Sequence, residues 1–297
     1  MYEVKEICKN GESLPLRTDG HLRVVFLGTG SAFSKRHRQS NILIIQGDHH
    51  VLIDCGTQGP LALSDIGLDV LQVNCYLPTH SHADHIGGLE EVALTNRYGS
   101  PDPKNSKPQM IIQSDYQDSL WSKSLAGGME NCEFKQGRPL QLADFFNILR
   151  PSPAKIEGRK YWSYQHGPIE VSIMRTRHFP DSAFSAEESQ WCCGVFINRR
   201  VWISGDTMID PEYISRFSEL SEVMFHDCQL FQGGIHASYH ELMTIPAPIR
   251  KKMFLYHYGD NWDRPETWVK ATDGFSGTPV KDGFLGWTEQ QVAYDFF

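Results

Sequence analysis

Residues 79–85 read Thr-His-Ser-His-Ala-Asp-His, which places three imidazoles and a carboxylate within six positions. Imidazole and carboxylate are the side chains that bind zinc and its divalent neighbours. At this spacing they can neither all point outward on a strand nor share one face of a helix. A tight loop could aim them at two metals at once. The preceding segment, residues 71–78, is apolar and ends at Pro78, as a buried strand does. Residues 87–98 are predicted as a helix. A strand-loop-helix corner is where an α/β protein commonly places a site. The chain has 13 histidines in 297 residues, so a single His-x-His would carry little weight. The whole ordered pattern behind a strand carries much more.

Two metals need about seven or eight ligand atoms from the protein. The loop offers His80, His82, Asp84 and His85. Three further groups follow apolar stretches: His178 after 169–174, Asp206 after 201–204 in Ser-Gly-Asp-Thr, and His257 after 253–256. Each alone reads as a surface histidine or a turn. The repeated topology, strand then ligand, predicts that they converge on one rim. His226 and His240 compete for the same role, with a structural or surface place as the default. Lys35, Arg36 and Arg38 could meet a substrate phosphate, against the simpler reading of a solvated loop. Gly28-Thr29-Gly30 is a weak nucleotide signal, since no GxGxxG follows and no Walker lysine is present.

The elements that would position these groups come in two successions. Strands are predicted at 22–27, at 41–46 and 50–54 as a hairpin, at 73–77 and at 110–113. Helices are predicted at 61–68 and at 115–125, the latter stopped by Gly127-Gly128. In the second half, strands fall at 161–164, 169–174, 194–198, 201–204, 222–225 and 253–256, with helices at 211–220 and 238–245. Residues 1–20 read as a polar lead-in, 99–107 as a loop, 129–160 as irregular, and the tail from 267 shows no period. Two packed sheets covered by helices would satisfy this pattern.

Hydrophobic content of 40% and charged content of 22% describe an ordinary globular chain. A net charge of −8 gives no broad basic footprint for nucleic acid. Seven cysteines at irregular spacings without a CxxC fit reduced thiols in the cytoplasm. No signal core opens the sequence and no run approaches a membrane span, so neither export nor membrane insertion is expected.

The motif 79–85 with His178, Asp206 and His257 resembles the metallo-β-lactamase superfamily. That resemblance implies an α/β fold, a four-layer αββα sandwich, in a single domain spanning 1–297. Its core would lie at about 22–260, with 99–160 a partly irregular insertion and 261–297 a C-terminal extension. It implies two divalent metal ions, zinc first and manganese or iron as alternatives. His80, His82 and His178 would hold one, Asp84, His85 and His257 the other, with Asp206 bridging. Phe26-Leu27-Gly28-Thr29-Gly30 and the segment 178–184 are similar to those of tRNase Z-like proteins. Phe225-His226-Asp227-Cys228 stands where they carry His-Glu-Ala-Thr, and residues 234–238 where they carry Gly-His-Ser-Thr. The implied catalytic residues are therefore Asp84, Asp227 and His236, with Asp84 orienting the attacking water and His236 as general acid steered by Asp227. Asp227 is shorter than the family's glutamate, and Ile235 is an extra residue before His236.

No concentrated basic arm of the kind that grips tRNA occurs in 99–160. The expected activity is hydrolysis of a small phosphodiester such as a cyclic nucleotide, with no stable nucleic-acid partner, no membrane, and a homodimer as a common assembly of such proteins. The alternatives are a tRNase Z-like ribonuclease, a thioester or lactam hydrolase, and a non-catalytic binding module.

Overall fold

Along Leu22–Gly28, the side chains of Leu22, Val24 and Phe26 pack into one apolar cluster and those of Val25 and Leu27 into another. A strand alternates its side chains between two faces, so this strand is covered on both. The same holds for Asn41–Gln46 and His49–Ile53. That accounts for their near-continuous apolar sequence. The computed structural model describes residues 1–7, 13–102, 107–156 and 159–297.

Two eight-stranded sheets carry the fold. The first runs in the order Tyr2–Glu6, Val292–Phe296, Leu22–Gly28, Asn41–Gln46, His49–Ile53, Cys75–Leu77, Gln109–Ile111, Asn147–Leu149. Its pairs are antiparallel up to His49–Ile53 and parallel beyond. The second runs Ser152–Ile156, Arg159–His166, Ile169–Arg175, Cys193–Ile197, Val201–Ile203, Val223–Asp227, Met253–Tyr256, Gly286–Trp287. It too is antiparallel first and parallel from Val201–Ile203 onward. Between the sheets lies a core of Phe26, Ile44, Ile53, Val195, Phe225 and Tyr256 with their neighbours. A second core joins the first sheet to its helices through Leu63, Leu89 and Leu120. A third joins the second sheet to Pro211–Leu220 and Tyr239–Leu242 through Trp202, Phe217 and Tyr239. Three cores between four layers make an αββα sandwich. Among the described residues, no helix is long and apolar enough to cross a membrane.

Several elements differ from the sequence-based expectation. Part of the polar lead-in, Tyr2–Glu6, is an edge strand, while residues 8–12 lie outside the described set. The tail supplies Val292–Phe296, inserted between that edge and Leu22–Gly28. Its pattern is masked by Asp295, whose fully buried carboxylate receives Arg23 at 2.6 Å and Lys5 at 3.3 Å. Within 129–160, the strands Asn147–Leu149 and Ser152–Ile156 each form a sheet edge, where alternation weakens. Residues 157–158 there, and 103–106 in the expected loop 99–107, are outside the described set. The expected helix 87–98 begins at Leu89, runs to Leu94 and passes into a wide turn at Thr95–Gly99, while a separate short helix, Ala83–Ile86, lies inside the motif itself. Gly127-Gly128 does not stop the helix that starts at Ser114 but lies inside its last turn, Ala126–Met129. A Cβ on Gly128 would come within 2.2 Å of Glu90 Oε2, so close packing explains that glycine.

His50 is buried on the strand His49–Ile53, and its Nε2 accepts the Asn74 N–H at 3.0 Å. Burial pushes its pKa down to about 4, so the folded chain keeps it neutral. An unfolded chain titrates the same group near about 6.5. Between those values the unfolded state binds more protons, so stability falls as pH drops through the window, by at most about 3 kcal/mol. Urea unfolding at pH 7 and pH 4.5 should show that loss in the natural chain and a smaller one in His50→Gln. Equal losses would remove His50 as the source.

Candidate metal centre

The motif loop is set by the segment before the first helix. Asp54, after His49–Ile53, holds a left-handed backbone at φ 61°. Its carboxylate receives the Thr79 N–H at 2.7 Å, the Thr79 hydroxyl at 2.8 Å and Nδ1–H of His85 at 2.7 Å. The Cys55 N–H donates to the carbonyl of His85, and the Thr57 N–H to that of Ala83. Between them Gly56 runs so close that a Cβ would lie 1.9 Å from the carbonyl oxygen of Asp84. A side chain there would displace the backbone of a metal-motif residue.

Two groups of donor atoms result. In the first, Nε2 of His80 lies 3.0 Å from Nδ1 of His82, which lies 3.2 Å from Nε2 of His178. Asp206 Oδ2 is 3.7 Å from His80 and 3.8 Å from His178. In the second, Nε2 of His85 is 3.2 Å from Asp84 Oδ2 and 3.1 Å from Asp206 Oδ2. Nε2 of His257 is 3.3 Å from Asp84 Oδ2 and 3.5 Å from Asp206 Oδ2. Asp206 Oδ2 thus faces both groups, and the structure brings all seven expected ligands together.

Tetrahedral zinc with bonds of about 2.0–2.1 Å requires donor atoms separated by roughly 3.3–3.4 Å. The contacts above scatter around that edge length. Both oxygens of Asp206 and Nε2 of His85 are buried without a hydrogen-bond partner among the described residues. Orphaned buried acceptors of this kind cost stability unless a cation meets them. The residues therefore fit divalent metal ions.

Electrostatics prepares the same donors. Burial holds His80 and His82 below the usual imidazole value and takes His178 down to about 4, which leaves lone pairs available. The Nδ1–H of His178 donates to the carbonyl of Ile235 at 2.8 Å, so Nε2 is the free donor atom. Burial opposes ionisation of Asp84, yet His85 and His257 outweigh it and hold the carboxyl far below its ordinary range. Asp206 is likewise held ionised by His257 and His85 against its burial.

His236 and Asp227 stand beside this cluster. Nδ1 of His236 is 2.9 Å from Asp227 Oδ2 and 3.8 Å from Asp206 Oδ2. The shorter carboxylate reaches because the backbone closes on it. The Thr207 N–H donates to Asp227 Oδ2, the Ala237 N–H to the carbonyl of Thr207, and the Gln229 N–H to the carbonyl of Ala237. The extra residue Ile235 has a use as well, since its carbonyl orients His178. The side chain of His236 is 18% exposed, whereas those of His80, His85, His178 and His257 are at most 3% exposed.

The other candidates lie elsewhere. His226 is buried against Asp227, with Nδ1 at 3.2 Å from Oδ1, and belongs to none of the clustered donor groups among the described residues. His240 pairs with Asp273. Arg36 is engaged by Asp263 and Arg38 by Asp65. The Gly-Thr-Gly run serves the centre through backbone, because the carbonyl of Thr29 receives the N–H of His257. Asp54 escaped sequence reasoning. Its signal, an aspartate at a strand end before Cys-Gly, is also that of an ordinary turn.

A profile described as anti-Pycsar protein Apyc1 matches residues 22–283. The chain belongs to that family. Curated relatives with this description include one from Paenibacillus harenae, 34% identical over 246 residues, covering 82% of this chain and 92% of the relative. Another, from Bacillus phage vB_BsuM-Goe3, is 33% identical over 247 residues, covering 80% and 90%. Among solved structures, the metallo-β-lactamase fold protein YhfI from Bacillus subtilis aligns with a TM-score of 0.60 at 15% identity, over 90% of this chain and 95% of that one. Yeast PDE1 aligns at 0.58 and 10% identity, over 94% and 100%. Human tRNase Z, short form, aligns at 0.55 and 18% identity, over 80% and 93%. These likenesses are of fold: the chain has the metallo-β-lactamase fold, which implies divalent metal ions.

Asp54 aims Nε2 of His85 by holding Nδ1. Removing such a partner typically lowers metal affinity about 10–100-fold. Asp54→Asn should show that loss for zinc in a chelator competition titration, with the circular dichroism spectrum retained. Unchanged affinity would mean that His85 is oriented by packing alone.

Proposed function

We propose that this chain is a phosphodiesterase that hydrolyses a small phosphodiester, with a cyclic nucleotide as the substrate class, at a dinuclear centre of divalent ions with zinc the first candidate. The observation that carries the reading is the Asp227–His236 pair, at 2.9 Å, beside the ligand cluster. A thioester or a lactam leaves without needing such a pair. The relatives' anti-Pycsar designation accords with cyclic-nucleotide degradation. The absence of a concentrated basic block among the described residues 99–160 favours a small substrate over tRNA.

Ions held by His80, His82 and His178 and by Asp84, His85 and His257, with Asp206 shared, would supply an acidified water and neutralise phosphoryl charge. The protein's own residues supply orientation and a proton. Asp84 orients the attacking water in addition to offering a ligand oxygen. In-line attack forms one P–O bond as the bond to the leaving alkoxide breaks. His236 donates Nδ1–H to Asp227, so the proton it can release is the one on Nε2. Burial disfavours charge on His236, but the hydrogen bond to Asp227 and the field of Asp206 outweigh it and raise its pKa. The shift favours the protonated imidazole that a general acid needs. Its partial exposure lets a substrate reach it.

Replacing a general acid typically costs about 10²–10⁴ in rate. His236→Ala should lower kcat by that order on cyclic mononucleotides and keep the natural metal content by elemental analysis. Loss of metal instead would make His236 a ligand, since it also groups with Asp206 and Asp227. A panel of cyclic mononucleotides, cyclic dinucleotides, bis-p-nitrophenyl phosphate, structured RNA, a thioester and a β-lactam tests the substrate class. Thioester turnover without phosphodiester turnover would overturn the proposal, and cleavage of RNA alone would replace it with a ribonuclease.

A further inference from the structure

The strand Val223–Asp227 turns Phe225 toward the core between the sheets and Met224 toward the core beneath the helices. Side chains alternate along a strand, so His226 belongs with Phe225's neighbours on the Met224 side. Its ring is fully buried and meets the Trp202 ring edge-on, with 5.5 Å between centroids. Nδ1–H donates to the backbone carbonyl of Asp227 at 2.8 Å, while Nε2 is buried with no hydrogen-bond partner among the described residues. An orphaned polar atom in an apolar layer costs stability, and a leucine there would avoid that cost. Packing alone gives no reason for an imidazole at this place.

Asp227 gives one. Its backbone is fixed on both sides, because the Asp227 N–H donates to Ser204 Oγ at 2.9 Å and the Cys228 N–H to the carbonyl of Tyr256 at 2.8 Å. The carboxylate is held less completely. Oδ2 receives both the Thr207 N–H at 3.1 Å and Nδ1–H of His236 at 2.9 Å. Oδ1 is buried with no well-aligned hydrogen bond among the described residues, and Nδ1 of His226 faces it at 3.2 Å. A carboxylate held through one oxygen can still rotate about its bond to Cβ. The Nδ1–H of His226, shared between the carbonyl and Oδ1, opposes that rotation. Burial also works against the charge on Asp227, and the contacts from His226 and His236 outweigh it.

We propose that His226 is a positioning residue for the reaction: it holds the Asp227 carboxylate in the orientation that lets His236 present its Nε2–H to the leaving oxygen. His226, Asp227 and His236 form a chain whose inner imidazole touches neither the substrate nor the ligand cluster. This role rests on the phosphodiesterase reading, but the grip of His226 on Asp227 can be measured without turnover. Asparagine carries its amide nitrogen where histidine carries Nδ1, whereas leucine fills a similar space with no donor.

Downfield proton NMR of the full, zinc-loaded chain supplies the first readout. The resonance of His236 Nδ1–H, identified by its loss in His236→Ala, should appear in the natural chain and in His226→Asn. In His226→Leu it should be lost to exchange with water. The second readout is kcat. On a cyclic mononucleotide His226→Leu should lower it about tenfold or more with KM unchanged, and His226→Asn should recover most of the loss. On bis-p-nitrophenyl phosphate the fall should be much smaller, since p-nitrophenolate leaves without a proton. In the His236→Ala background His226→Leu should cause no further fall, because the group it positions is gone.

An unchanged resonance in His226→Leu would overturn the role, as would a resonance absent from the natural chain. So would equal falls on both substrates or an additive double variant, which a general loosening of the fold would give. If the natural chain cleaves no phosphodiester, the phosphodiesterase reading fails, and the resonance alone decides whether His226 holds Asp227. Should His226→Leu not fold, His226→Gln, whose amide nitrogen stands at the Nε2 end, takes its place with the same expectations.

Discussion

Asp206 places two carboxylate oxygens in the interior, each without a hydrogen-bond donor among the described residues, and surrounds them with the rings of His80, His85, His178 and His257. Taking one carboxylate out of water costs several kcal/mol after relaxation. Asp84, 5% exposed, adds a second and Asp54 a third. His80, His82 and His178, held neutral by burial, cannot compensate such charges, and protonating them would spoil the lone pairs that face one another at 3.0 and 3.2 Å. Under the proposed function, a pair of cations would resolve both problems at once. The donor spacing, the tautomer set by Ile235 and the clamp of Asp54 on His85 are all consistent with that single requirement.

The sheet topology meets it. Groups that converge must leave their strands at the same edge. His49–Ile53 and Cys75–Leu77 run parallel and deliver Asp54 and the motif loop. Val201–Ile203, Val223–Asp227 and Met253–Tyr256 run parallel and deliver Asp206, Asp227 and His257. Ile169–Arg175 is two antiparallel steps from Val201–Ile203, hence codirectional, and delivers His178. The antiparallel halves of the sheets contribute no ligand beyond His178. They supply the inter-sheet core against which the parallel halves are held in register.

The degree to which this was legible in the sequence follows from the range of each interaction. The motif 79–85 is local, and its ligands could be assigned because chemistry and spacing coincide within one loop. His178, Asp206 and His257 were legible by topology, each standing just past an apolar stretch. Two packed sheets covered by helices could be read from the two successions of strands, and the αββα layering from the resemblance to the metallo-β-lactamase superfamily. Asp54 could not, because its role depends on a contact with a residue 31 positions away. The strand Val292–Phe296 could not, because Asp295 breaks its apolar run and is neutralised by Arg23 and Lys5 from distant sequence. Gly127-Gly128 misled because a glycine pair signals a helix stop locally, while Gly128 answers to the side chain of Glu90 across a packed interface.

Charge placement also bears on what such a centre can accept. The chain as a whole is acidic, so an anionic substrate gains nothing from its long-range field. Two of the basic groups nearest the Gly-Thr-Gly loop, Arg36 and Arg38, are spent on Asp263 and Asp65. The attraction would therefore be short-ranged and located at the ligand cluster, where ions and His236, whose pKa is raised, would present the positive charge. A polyanion that spreads its phosphates over many contacts loses most from this arrangement, since its binding rests on distributed charge. A single phosphodiester loses least, because one phosphate can meet the cluster and His236 together. Under the proposed function, the same acidic balance would disfavour nucleic acid and favour a small phosphodiester.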